Sequence, residues 1–315
     1  MGKNGMDMLA GSCFLSYTCM DRFDGWKKGA DSMKKAAMIL EGGAKRGIFT
    51  SGVLDYLMEQ DFYIPHVIGV SAGSCNAVDY VSRQPGRTRV CMIRSGEDGR
   101  LVTFHHLFRR KSLLDMDLIF ERDPMELHPF DFETYFASDM TCEIVATNCL
   151  TGKAEYFTET KDGARLMKLC RASSSLPVVT PMVDIDGVPY LDGGLADSIP
   201  LIHCLKNGYR KNVLVLTRNR GYRKTMPRRK IVMYRTIFKD YPQLARTICS
   251  RAYQYNRIIT AVERWEEEGK IFVIRPQCPT VSRLESKVSV LEAFYQHGYR
   301  QMEKQFDDMR RYLEE

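Results

Sequence analysis

Ile68-Gly69-Val70-Ser71-Ala72-Gly73 contains the pentapeptide G-x-S-x-G. A serine in that setting sits on a tight strand-to-helix turn that pushes its hydroxyl toward substrate. The flanks fit the turn. His66-Val67-Ile68-Gly69-Val70 is a short apolar run with β-branched residues, which reads as a buried strand. Ala72 to Ser82 has helix-tolerant composition, with Val78 and Val81 on one side. Gly69 and Gly73 lack side chains, so strand and helix can approach closely around Ser71. A glycine-rich surface turn would show the same five letters, but not this order of strand, turn and helix.

A second glycine loop lies upstream. Ala36-Ala37-Met38-Ile39-Leu40 reads as a strand and is followed by Glu41-Gly42-Gly43-Ala44-Lys45-Arg46-Gly47. Val53, Leu54, Leu57 and Met58 then fall on one helical face. A glycine turn opening a helix presents unpaired N–H groups and the positive end of the helix dipole, which suits an anion. The anion is either a nucleotide phosphate or the oxyanion of an acyl-transfer intermediate. The spacing fits neither Walker A nor G-x-G-x-x-G, and the serine turn that follows favours the oxyanion.

Further on, Val183-Asp184-Ile185 and Val188-Pro189-Tyr190 flank Asp186-Gly187, a hairpin signal. Pro189 confines the second strand to an edge or makes it short. The chain then reads Tyr190-Leu191-Asp192-Gly193-Gly194. Asp192 is expected to emerge at the strand end.

In this order the three elements resemble the bacterial patatin-like phospholipases, serine lipid acyl hydrolases. That family has a Gly-Gly-Gly-x-Arg-Gly oxyanion loop, then G-x-S-x-G, then a distant Asp-Gly-Gly or Asp-Gly-Ala. Here the motifs are EGGAKRG, GVSAG and LDGG. Arg171-Ala172-Ser173-Ser174-Ser175-Leu176-Pro177 is similar to a fourth family signature. The resemblance covers roughly residues 36 to 218. It implies a Ser71–Asp192 dyad without histidine, and oxyanion donors among the N–H groups of Gly42, Gly43, Ala44 and Lys45. Serine needs a base beside it, and burial raises a carboxyl pKa toward a useful value. Arg46 is expected to hold the loop, meet a phosphate head group or sit solvated at the helix start. Ala44 departs from the family, which has a third glycine there. If the position needs a positive φ, alanine costs about 1 kcal/mol.

A histidine triad is the rival. His203 and His297 follow Asp192 in the required chain order, but both lie in ordinary helical runs. His105 and His106 are adjacent, so no helix or strand aims both at one centre. No metal site is read from the sequence, and no cofactor is implied.

The 315 residues suffice for one large core, and 44% hydrophobic with 27% charged residues suits a soluble globule. Strands at Thr141–Thr147, Asn212–Thr217 and Lys270–Arg275 alternate with helices at Gly163–Ala172, Pro200–Lys206, Lys239–Glu268 and Arg283–Tyr312. That alternation predicts an α/β class, a three-layer α/β/α domain with a mainly parallel central sheet. Both glycine loops then fall at the carboxyl edge. Residues 1–34 read as a poorly ordered extension and residues 35–315 as one patatin-like acyl hydrolase domain that includes the C-terminal helices. The stretch from Thr88 to Met140 is aromatic, with Phe104, Phe108, Phe120, Phe130, Phe132, Tyr135 and Phe136. It forms either a lid or acyl-pocket wall, or surface helices on the core.

Ten cysteines without C-x-x-C pairs read as reduced thiols of a cytoplasmic protein. No signal peptide or membrane span is seen. The net charge of +7 is uneven: Lys206 to Lys239 holds twelve Lys or Arg and no carboxylate. This run is a solvated basic surface or a peripheral contact with anionic membrane, where each cation contributes about 1 kcal/mol. No nucleic-acid-binding signature accompanies it. The expected partner is a lipid ester substrate; the oligomeric state is not readable. The alternatives are a small-molecule carboxylesterase or thioesterase, and a non-catalytic lipid- or anion-binding module.

Overall fold

A computed structural model describes residues 35–93 and 115–315. The expected N-terminal extension, and His105, His106, Phe104 and Phe108, lie outside the described residues.

The first strand shows why the domain has three layers. Along β1 (Ala36–Leu40), Ala36, Met38 and Leu40 join one apolar cluster while Ala37 and Ile39 join another. A strand has period two, so a run apolar at every position must be covered on both faces. One face carries α1 (Gly47–Glu59), α2 (Ala72–Val81), α5 (Gly163–Ser173) and α9 (Val288–Glu314). The other carries α6 (Leu201–Lys206) and α8 (Pro242–Glu267). The described residues also form α3 (Arg87–Met92), α4 (Phe132–Ala137) and α7 (Arg228–Ile237).

The sheet runs β5-β6-β3-β2-β1-β7-β8, with β4 (Ala154–Phe157) also pairing β3. The strands β3 (Thr141–Asn148), β2 (His66–Val70), β1, β7 (Lys211–Val215) and β8 (Phe272–Ile274) are parallel. The hairpin of β5 (Val183–Ile185) and β6 (Val188–Asp192) is antiparallel. Its turn has φ of +54° at Asp186 and +81° at Gly187, the left-handed pair that Asp-Gly predicts. Pro189 sits in a short strand rather than on an edge, since β5 pairs on one side of β6 and β3 on the other.

Register brings the motifs together. Leu40 pairs with Gly69, so both glycine loops leave the sheet side by side. Val70, the last residue of β2, pairs with Val145. β3 runs three residues further, and the hairpin returns along that overhang, pairing Asp192 with Ala146. Asp192 therefore arrives at the level where β2 ends.

The C-terminal helix grips the helix that follows the first loop. A Cβ on Gly52 of α1 would lie 2.2 Å from the Tyr295 carbonyl oxygen, and one on Gly298 of α9 would lie 2.1 Å from that of Phe49. Only glycine permits this approach.

Candidate active site

Ser71 has φ +56° and ψ −126°, outside the regions favoured by residues with a side chain. The surroundings impose that conformation. A Cβ on Gly73 would lie 2.3 Å from the Leu40 carbonyl oxygen, so the start of α2 presses against the end of β1. The Ser71 N–H donates to Ser173 Oγ at 2.8 Å, and Ser173 Oγ donates to the Val145 carbonyl at 2.6 Å. The Ser74 N–H and hydroxyl both donate to the Ser71 carbonyl.

Asp192 is buried, and its Oδ1 accepts the Gly194 N–H at 2.7 Å. Its backbone is pinned as well: its N–H donates to the Ser175 carbonyl at 2.7 Å, and Thr147 Oγ1 donates to its carbonyl at 2.8 Å. The Ser71 hydroxyl lies close enough to this carboxyl group to lower its pKa. Burial raises the Asp192 pKa; the positive charge of Arg251 and the nearby Ser71 hydroxyl work against that rise.

The first glycine loop lies against this pair. A Cβ on Gly42 would be 2.8 Å from Ser71 Cβ. Ala44 has φ +50°, the left-handed conformation in which a third glycine would be unstrained. Among the described residues, the N–H groups of Gly43 and Ala44 have no protein acceptor. The Lys45 N–H, expected to be free for an oxyanion, instead donates to the Arg283 carbonyl at 3.4 Å. Arg46 is not solvated: it is buried, and its Nε donates to the Val281 carbonyl at 3.0 Å. That bond ties the loop to the segment around Val281.

Ser71 and Asp192 open on a cavity of about 660 Å³. One end is apolar, with Val78, Met116, Ile119, Phe120, Met167 and Leu291. Ile119 and Phe120 come from a π-helical stretch, Leu118–Leu127, with Pro124 inside it. π-helical turns recur at functional sites. The aromatic stretch thus divides. Phe120 walls the cavity, whereas Phe130, Phe132, Tyr135 and Phe136 stack on one another against the core.

Residues 38–205 match the family model described as patatin-like phospholipase. The chain belongs to the patatin-like phospholipase family. Residues 241–314 match a second model, described as Domain of unknown function (DUF6363). The uncharacterized protein YjjU of Escherichia coli (strain K12) is 30% identical over 188 residues, 58% of this chain and 52% of that protein. The chain thus spans about half the length of this curated relative. The crystal structure of VipD from Legionella pneumophila aligns with 87% of this chain and 67% of that one, at TM-score 0.43 and 13% identity. Membership of the patatin-like family suggests lipid acyl hydrolase activity.

In this patatin-like domain the histidines that follow Asp192 are used elsewhere. His203 Nε2 lies 2.7 Å from Glu143 Oε2, and its ring stacks on Tyr156. His297 Nε2 accepts the Gln277 N–H at 3.0 Å. Neither lines the cavity. Cys75 does, but burial pushes its thiol up to about 11, so it is no nucleophile at neutral pH. Cys91, Asp123 and His128 place one potential metal-ligand atom each within 4.8 Å of one another, a grouping the sequence did not announce. His128 Nδ1 already meets Asp123 Oδ1 at 2.7 Å, and the Arg87 guanidinium lies close enough to perturb the Cys91 thiol. An adjacent fixed cation disfavours a metal ion.

Sequence reasoning also missed a cationic part of the cavity lining. Arg218, Lys224, Arg251 and Arg283 line the cavity, and Lys224, Arg251 and Arg283 lie close enough to Asp192 to interact with its charge. Arg218 and Lys224 come from the basic run, but Arg251 and Arg283 come from two distant segments with no motif spacing. The basic run is correspondingly broken up. Arg220 pairs with Glu266 and Glu267, and Arg223 with Glu263. No helix among the described residues is long and apolar enough to cross a membrane.

Proposed function

We propose that the protein is a serine acyl hydrolase that cleaves lipid esters through Ser71 and Asp192. The observation that carries this reading is that Ser71, on its strained turn, and the buried Asp192 carboxyl group lie beside each other in the wall of one largely apolar cavity. Asp192 takes the Ser71 proton as Oγ bonds to the ester carbonyl carbon. The N–H groups of Gly43 and Ala44 receive the charge on the carbonyl oxygen. The C–O bond then breaks, and Asp192 returns the proton to the leaving alcohol. Water, deprotonated by Asp192, attacks the acyl-serine; its proton passes back to Ser71 as the fatty acid departs. Of the four N–H groups expected in the oxyanion hole, that of Lys45 is left out because it donates to the Arg283 carbonyl.

The apolar end of the cavity favours an acyl chain over a small soluble ester or thioester. A small substrate would leave Met116, Ile119 and Phe120 uncovered. Labelling with a fluorophosphonate probe tests the reading. Wild-type protein is expected to label and Ser71→Ala not to; equal labelling would refute it and favour the non-catalytic lipid- or anion-binding alternative.

We also infer that α7 makes a peripheral contact with anionic membrane. Arg228, Arg229 and Lys230 begin the helix and Arg235 lies in its last turn, while Val232, Met233 and Ile237 stand exposed on the same helix. Three cations in the first turn oppose the helix dipole, and an anionic surface would offset that cost. Tyr234 of this helix lies close enough to Arg251 to influence it, so the helix flanks the cavity.

A further inference from the structure

The cationic part of the cavity lining is built at some cost. Arg251 Nε donates to the Gly194 carbonyl at 2.5 Å, which leaves the outer guanidinium nitrogens beside the dyad. Lys224 Nζ lies 3.4 Å from Ser198 Oγ and 3.4 Å from the centroid of the Tyr255 ring. Ser198 Oγ itself donates to the Gly194 carbonyl at 2.7 Å, so Lys224 and Arg251 converge on one short segment after Asp192. Among the described residues, no carboxylate forms an ion pair with Arg46, Arg218, Lys224, Arg251 or Arg283.

The carboxylates nearby are already engaged. Glu41 Oε2 accepts the Thr217 N–H at 2.8 Å, and its Oε1 accepts the Tyr255 hydroxyl at 3.0 Å. Asp192 lies beside the Ser71 hydroxyl and accepts the Gly194 N–H. Burial, then repulsion from Arg251, lowers the Lys224 pKa well below the usual range. Like charges gathered in a partly desolvated pocket are unfavourable unless a counter-charge joins them. Two of these residues share an origin. Arg251 and Arg283 lie in the segment 241–314, and Arg218 and Lys224 lie between it and the patatin-like match that ends at residue 205. The segment of unknown function thus supplies one wall of the cavity.

We propose that Lys224, Arg251 and Arg283 bind the phosphate of a lipid whose head group carries net negative charge, so that residues 241–314, together with Lys224, act as the head-group reader for the Ser71 site. This rests on the lipid hydrolase reading above and narrows its substrate class. The acyl chain occupies the end near Phe120, the ester lies at Ser71, and the phosphate meets the cations. A zwitterionic head group would bring a second positive charge into a wall that already repels itself.

The test measures binding, so it does not depend on turnover. Full-length protein carrying Ser71→Ala is titrated calorimetrically with lysophosphatidic acid, with lysophosphatidylcholine of the same chain, and with inorganic phosphate. Lysophosphatidic acid is expected to bind at least about tenfold more tightly than either, the size of one charge-assisted hydrogen bond. Adding Lys224→Met is expected to bring the ratio between the two lipids down by about tenfold. Arg283 is exposed, so Arg283→Gln keeps the fold and lowers the ratio if Lys224→Met does not fold. Equal affinity for the two lipids, or a ratio that neither substitution changes, would overturn the proposal. Inorganic phosphate binding as tightly as lysophosphatidic acid would overturn the head-group assignment in favour of a free-phosphate site. Failed fluorophosphonate labelling of wild-type protein would refute the hydrolase reading alone, and the titration would still decide this one.

Discussion

The Ser71 N–H donates to Ser173 Oγ at 2.8 Å across 102 residues of chain. The Ser173 hydroxyl in turn donates a hydrogen bond to the Val145 carbonyl, so it ties the strained turn to the neighbouring strand. The Arg-Ala-Ser-Ser-Ser-Leu-Pro stretch therefore contributes as a brace under the turn. Ser173→Ala leaves a buried N–H without its acceptor, which costs about 1–3 kcal/mol. Thermal unfolding should show that loss, and turnover should fall because the Ser71 hydroxyl is no longer held in place.

Asp192→Asn should lower ester hydrolysis by roughly three orders of magnitude or more, by analogy with removing one member of a catalytic unit. His203→Ala and His297→Ala should keep most activity, since their partners are Glu143 and the Gln277 N–H. A dead but folded histidine variant would move the base to a triad. Because burial raises the Asp192 pKa, the proton is released only at higher pH than for a free carboxyl group. Activity should therefore rise with pH through that shifted value and then level off, as a pH–rate profile would show.

Ala44 occupies a left-handed conformation at φ +50°. Glycine removes a steric cost of about 1–2 kcal/mol there but adds about 0.5–1 kcal/mol of chain entropy to the unfolded state. Ala44→Gly should thus stabilise by up to about 1 kcal/mol, read as a shift in denaturant midpoint. A destabilised variant would mean that the loop is not held in this conformation in solution.

Asp55 is buried, accepts the Tyr295 hydroxyl at 2.8 Å and the Gly86 N–H at 2.9 Å, and has its pKa raised to about 6, chiefly by burial. Its folded value lies above its unfolded one, so between roughly pH 4 and 6 the folded state binds more protons. This group's contribution is most favourable below that window and is lost as pH rises through it. Asp55→Asn should remove the slope and gain of order 1–3 kcal/mol relative to wild type at pH 7. Unfolding curves of both proteins at pH 4 and pH 7 would check it; a constant difference would contradict it.

Replacing Arg228, Arg229 and Lys230 by serine should weaken binding to anionic vesicles, with hydrolysis of a short soluble ester nearly unchanged. The loss should be largest at low salt, since the Debye length is about 10 Å at 0.1 M and about 3 Å at 1 M. Arg220 and Arg223 are poor targets, because their charges are already met by glutamates of α8. Equal vesicle sedimentation before and after the change would reduce the helix to a solvated surface.

What could be read from sequence was what is local or periodic. The strand, turn and helix around Ser71 occupy sixteen consecutive residues, and the Asp186-Gly187 hairpin fixes its own register. The stretch Lys206 to Lys239 looked uniform as a string of charges. Folding sorts it into paired Arg220 and Arg223, cavity-lining Arg218 and Lys224, and the exposed first turn of α7. Nothing in spacing marks Arg251 as a neighbour of Asp192, because α8 meets that site only through tertiary packing. The same reason hid the fate of the Lys45 N–H, whose acceptor lies 238 residues away at Arg283. Strand β4 was missed because Ala154–Phe157 has four half-buried residues and no clean alternation.

The strand β7 has a practical consequence for anyone cutting this gene. It pairs β1 from Ala36↔Lys211 to Leu40↔Val215, entirely beyond residue 205, where the patatin-like match stops. A fragment trimmed to that match would present Ala-Ala-Met-Ile-Leu as an unprotected sheet edge without one charged side chain. Such edges recruit strands from other molecules. The fragment would also bare the face of α1 that Gly52 shares with α9. It should therefore collect in inclusion bodies, whereas a fragment kept through Glu314 retains both covers.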